Sequence, residues 1–135
     1  MPNDLADAPL ARQIEALGSI LASNPVVSRL LAELPKLALP SWYVGGGGIA
    51  QTVWNRLHGF EPAYGITDYD VVYFDPHDLT AGGEQAVEAA VASLVPSAGD
   101  AKVDVTNEAR AASVFDWRAT SWWCARRSGS AICSR

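Results

Sequence analysis

Two aspartates one residue apart open a β-prone run, Asp68-Tyr69-Asp70-Val71-Val72-Tyr73-Phe74. Residues i and i+2 of a strand point to the same side, so the two carboxylates project together. Like charges that close repel each other, and an adjacent divalent cation relieves the repulsion. The alternative is a solvated pair at a strand entrance. A third acid, Asp104, lies in Ala101-Lys102-Val103-Asp104-Val105-Thr106, which alternates polar and apolar as a half-buried strand does. Asp104 shares a side with Lys102 and Thr106, opposite Val103 and Val105. If the two strands are neighbours, three carboxylates converge, the layout of metal-assisted phosphoryl or nucleotidyl transfer.

Upstream of these acids stands Val44-Gly45-Gly46-Gly47-Gly48-Ile49, four glycines between an aromatic run and an apolar period. Each glycine loses more backbone entropy on folding than any other residue, so four in a row suggest a close approach to the backbone. Ile49, Val53 and Leu57 recur every four residues and predict a helix from about Gly48 to Gly59. A glycine turn opening a helix exposes N–H groups at the positive end of the helix dipole, where Gly46, Gly47 and Gly48 would admit a phosphate. No Gly-Lys-Ser/Thr follows, which excludes a P-loop, and the dinucleotide-binding spacing is missing. A tight turn packing helix against sheet is the plainer reading of the glycines alone.

The elements that must position these residues follow from periodicity. Leu10, Ile14, Leu17 and Leu21 mark one helix face, and Val27, Leu30, Leu31 and Leu34 a second short helix closed by Pro35. Ser41 to Val44 reads as a short strand. Residues 59–67 lack a period and read as a loop; 68–74 reads as a buried strand ended by Pro76. Val87, Val91 and Leu94 predict a helix from about Gly83 to Val95. Gln51 and Asn55 fall opposite, or nearly opposite, Ile49 and Val53, a face for nucleotide contact or for solvent. His58 and His77 have no second ligand at metal spacing.

The chain has 135 residues, enough for one ordinary domain, with 49% hydrophobic and 19% charged residues, a globular composition. No apolar run reaches the roughly 18–20 residues that span a bilayer. The N-terminal segment carries Asp4 and Asp7 without a basic region, so it does not read as a signal peptide, and a cytoplasmic protein is the expectation. A net charge of −5 argues against broad nucleic-acid binding. Residues 1–110 hold 14 acids and 6 bases, whereas 111–135 hold 4 arginines and 1 aspartate. Both cysteines and three of the five tryptophans also lie in that last segment.

The run from Trp42 to Asp75, with Val103 to Arg110 (VDVTNEAR), resembles the bacterial nucleotidyltransferase-like family, a branch of the superfamily containing DNA polymerase beta and the tRNA CCA-adding enzymes. The resemblance implies an α+β, nucleotidyltransferase-type fold with a small mixed β-sheet flanked by helices. It makes Gly46-Gly47 the phosphate-binding turn and Asp68, Asp70 and Asp104 the catalytic, metal-binding triad. It implies two Mg2+ ions, with Mn2+ as a substitute, and a nucleoside triphosphate whose monophosphate passes to an unidentified hydroxyl acceptor. Gly48 and Gln51, and Asn107 and Arg110 of the NEAR stretch, are then candidate nucleotide contacts. Ala50 stands where CCA-adding enzymes carry an arginine, and Gly47 to Asp68 is a longer interval than the superfamily usually shows. These departures leave an alternative: a catalytically inactive or truncated nucleotide-binding or interaction protein of the same fold. Two other Asp-x-Asp classes fit less well. Haloacid dehalogenase-type phosphatases place the apolar strand before the acids, and glycosyltransferases are longer. The resemblance sets a domain at 1–110 and leaves 111–135 as an atypical tail lacking the expected His-Leu-Trp-Tyr-like segment, read as an out-of-frame C-terminus.

Overall fold

In a computed structural model that describes residues 5–95 and 101–114, the strand that opens with Asp68 is the middle one of three. Helices α1 (Leu10–Ala22) and α2 (Pro25–Glu33) and a 3-10 turn (Leu34–Leu37) precede β1 (Tyr43–Gly45) and α3 (Gly46–Leu57). Then follow β2 (Asp68–Tyr73), α4 (Ala81–Leu94), β3 (Lys102–Asn107) and α5 (Glu108–Val114). β2 runs antiparallel to β1 and parallel to β3, so the sheet is mixed and the fold α+β. The parallel pairing follows from the crossover through α4, because parallel neighbours need a long connection between them.

β2 has two different faces. Tyr69, Val71 and Tyr73 are buried, while Asp68 is exposed and Asp70 and Val72 are half-buried. The expectation of a buried strand is therefore corrected: one face is buried and the other carries the acids. The reason is that the described helices meet the sheet on one side. Val27, Leu30 and Leu34 from the α2 region and Val91 and Val95 around α4 pack with Tyr69, Val71, Tyr73 and Val105 into one core. Period-two alternation sends the intervening residues away from that core.

Helix starts follow their caps. Asn24 caps α2, its side-chain oxygen accepting from the N–H groups of Val26 (2.9 Å) and Val27 (3.3 Å), with Pro25 in the first turn. Thr80 caps α4 by accepting from the Gly83 N–H at 3.1 Å, which starts that helix two residues before the predicted Gly83. α3 likewise begins at Gly46 rather than Gly48. Residues 108–114 form α5, with Ala109 buried, so the helix runs from the NEAR stretch into the first four residues of the segment read as an atypical tail. Residues 115–135 of the predicted tail lie outside the described residues. α1 has no buried residue, and Leu10 and Ile14 of its apolar stripe are exposed.

Leu30 is fully buried, so Leu30→Ala is expected to lower unfolding free energy by about 2–5 kcal/mol. Leu10→Ala, at an exposed position of α1, should stay within about 0.5 kcal/mol of the wild type. Urea denaturation of both variants checks the contrast.

Candidate active site

Strand register brings the acids together. Asp70 pairs with Gly45 of β1 on one side and with Asp104 of β3 on the other, and Asp68 pairs with Lys102. The three carboxylates each offer an oxygen, and these oxygens lie within 4.8 Å of one another. Asp68 is exposed, while Asp70 and Asp104 are half-buried. Thr67 donates its hydroxyl to Asp68 at 3.0 Å, and the Lys102 ammonium is paired with Asp104. That carboxylate raises the pKa of Lys102, with smaller contributions from Glu88 and Asp68.

β1 ends beside Asp70, so α3 starts there, and the glycines at its start do three different things. Gly46 has φ +73°, a left-handed conformation, and a Cβ on it would fall on the carboxylate of Asp70. Gly48 is buried; a Cβ there would lie 2.8 Å from the Tyr69 ring and 3.0 Å from the Asp68 carbonyl oxygen. Gly47 has open space around it, with nothing within 4 Å of where a Cβ would stand. It lines a groove of about 180 Å³ together with Gly48, Gln51, Gly65, Ile66, Thr67 and Asp68. Unlike α2 and α4, α3 has no side-chain cap, and unlike α4 it has no acidic residue in its first turn. The first N–H groups of a helix have no partner within it, so this end offers donors to an anion.

A buried hydrogen-bond cluster fixes the turn against β2. The Asn24 amide donates to the Thr52 hydroxyl at 2.8 Å and to the Tyr69 hydroxyl at 3.1 Å, and Thr52 donates to the Gly48 carbonyl at 2.7 Å. Tyr69 stands between Asp68 and Asp70 in sequence and on the opposite face of the strand. Sequence reasoning missed Asn24, Thr52 and Tyr69. An Asn before Pro25 is a helix-cap signal that could have singled out Asn24, but nothing local connects it to residues 28 and 45 positions away.

Of the other candidates, Gln51 lies on the groove and donates to the Asn55 side chain at 2.9 Å. Asn55 is buried, not on a solvated helix face: its amide holds the 59–67 loop through the carbonyls of Pro62 (3.0 Å) and Tyr64 (2.8 Å). The structure does not bring Asn107 or Arg110 to the triad. Asn107 pairs with Tyr73, at the end of β2 far from Asp68, and faces away from Asp104. It is buried and bonded to Asp75, Asp78 and Ala109, and its N–H reaches Glu84 at 2.9 Å. Arg110 donates to the other Glu84 oxygen at 3.0 Å. At that end burial, reinforced by Glu84, Asp75 and Asp78, raises the pKa of Tyr73.

A family model described as nucleotidyltransferase matches residues 32–125, which contain the glycine turn and all three acids. The chain belongs to the nucleotidyltransferase family. The match continues past Arg110 into the segment read as atypical. Among solved structures, one described as an NMR structure that reveals a CCA-adding enzyme head domain is similar in fold, with a TM-score of 0.52 and 23% identity. The similarity covers 66% of this chain and 46% of that one, so this chain spans less than half of that structure's length. No curated protein matches the chain. Family membership and fold agree with the resemblance carried by the sequence motifs.

Gly46→Ala should destabilise the protein by about 1–3 kcal/mol, from the left-handed backbone and the displaced Asp70 carboxylate. Gly47→Ala should leave stability unchanged or raise it by up to about 1 kcal/mol, since its Cβ meets nothing. Thermal unfolding in metal-free buffer separates the two. Asn24→Ala removes a cap and strands buried partners, and a loss of about 2–4 kcal/mol is expected in the same assay.

Proposed function

We propose that the protein transfers a nucleoside monophosphate from a nucleoside triphosphate to a hydroxyl acceptor, in a reaction dependent on divalent metal. The observation that carries this reading is the convergence of Asp68, Asp70 and Asp104 within 4.8 Å, beside an uncapped, glycine-led helix N-terminus. An all-carboxylate oxygen donor set suits Mg2+, with Mn2+ as a substitute, and two ions are the expected complement. When bound, such ions neutralise the triphosphate and lower the pKa of the acceptor hydroxyl.

The chain's own residues then divide the work. Asp68 and Asp70 hold metal from β2, and Asp104 holds it from β3, on the side of Asp70 away from the glycine turn. The amides at Gly46 to Gly48 take the outer phosphates. Gly47 supplies the open approach, and Gln51 and Thr67 border the groove. The acceptor oxygen bonds to the α-phosphorus in line as the bond from that phosphorus to the bridging oxygen breaks. Pyrophosphate leaves, and the hydroxyl proton passes to solvent. Asn107, Glu84 and Arg110 serve by holding the far end of β3 against α4 and α5.

A second reading, an inactive nucleotide-binding or interaction protein of the same fold, is favoured by Ala50 at the position where an arginine would meet the nucleotide. Each ribonucleoside triphosphate, with and without Mg2+, tests both readings on wild type and Asp70→Asn. A magnesium-dependent rise in Tm on the order of 5–10 °C is expected at about 100 times Kd, lost in the variant. Pyrophosphate release alongside that rise supports transfer, and a rise without release supports the second reading. No rise with any of the four in folded wild type overturns the transfer reading and leaves an interaction protein of the same fold.

A further inference from the structure

Among the described residues, one ion pair reaches the triad, that of Lys102 with Asp104. Lys102 lies two residues before Asp104 on the same face of β3 and is paired in register with Asp68. Its ammonium therefore sits among the carboxylates that crowd one another at the site. Its position leaves the groove clear: the glycine turn lies on the β1 side of Asp70, and Lys102 lies on the β3 side. The Lys102 side chain is 69% exposed, on a flexible stem, so the pair resembles other exposed ion pairs that are weak and easily exchanged.

We propose that Lys102 is the resident counter-cation of the triad, holding Asp104 while the site is empty and yielding that carboxylate when a divalent cation enters. Metal binding is then an exchange of one cation for another. The inference rests on the metal-dependent reading above and adds to it a residue that sets metal affinity. The empty site carries three carboxylates and one ammonium. Without Lys102, repulsion among the carboxylates goes unrelieved and the entering ion meets no competitor for Asp104. Lys102 thus stabilises the empty site and weakens its grip on metal.

Manganese titration of the full chain by calorimetry tests this on wild type, Lys102→Met, Lys102→Arg and Asp70→Asn. Lys102→Met should bind Mn2+ about 3- to 10-fold more tightly than wild type at low ionic strength, with the difference shrinking in salt. Lys102→Arg keeps the charge and should bind like wild type. Equal Mn2+ affinity in wild type and Lys102→Met, with binding abolished in Asp70→Asn, overturns the inference and leaves the metal site standing. Tightening in Lys102→Arg equal to that in Lys102→Met also overturns it, because the effect would not be one of charge. Mn2+ bound by none of the four proteins removes the metal-dependent reading and this inference with it.

Discussion

Tyr69 ties the acid-bearing face of the sheet to the interior of the molecule. Its ring packs against Gly48, its hydroxyl meets Asn24 in a fully buried cluster, and it belongs to the core of α2, α4 and the sheet. Because Tyr69 must face inward, Asp68 and Asp70 must face the other way. A slip of one residue in the register of β2 would bury two carboxylates and expose an aromatic ring, so the hydrophobic core specifies where the acids stand. Gly46 adds a second constraint, since the Asp70 carboxylate occupies the space that any larger residue at that position would need.

Much of the candidate site was legible because it is written in local spacing. Two acids on alternate residues of a β-prone run, a third on an alternating run, and a glycine turn before an apolar helix period each depend on neighbours a few residues apart. What could not be read is set by distant partners. Sequence leaves open whether β2 and β3 pair at all, whereas the α4 crossover makes them parallel and places Asp70 opposite Asp104. The glycines looked like one feature, and only the positions of Asp70 and Tyr69 separate Gly46 and Gly48 from Gly47. Asn55 looked solvated on a helical wheel because the loop it holds returns from residues 62 and 64.

The NEAR stretch illustrates the opposite limit. Asn107 and Arg110 carry polar groups of the kind a nucleotide needs, yet the Asn107 side-chain amide donates to the Asp75 and Asp78 carbonyls and the Arg110 guanidinium to Glu84, whose other oxygen accepts from the Asn107 backbone N–H. Side-chain chemistry alone could not separate the two ends of β3. Position does: Asp104 and Asn107 are an odd number of residues apart, so strand geometry turns them to opposite faces. The same strand thus presents a carboxylate to the triad and locks its own end with a buried amide.

The Asn24 side chain has a mechanical consequence. Its oxygen takes the first free amides of α2 and its nitrogen takes Thr52 and Tyr69, so one small group joins the start of one helix, the first turns of another and the central strand. Neither helix can rock without disturbing that joint. An anion that stiffens the start of α3 would therefore slow hydrogen–deuterium exchange at Val26 and Val27, in a helix that lines no part of the groove. The start of α2 would then report, at a distance, an anion bound at the glycine turn.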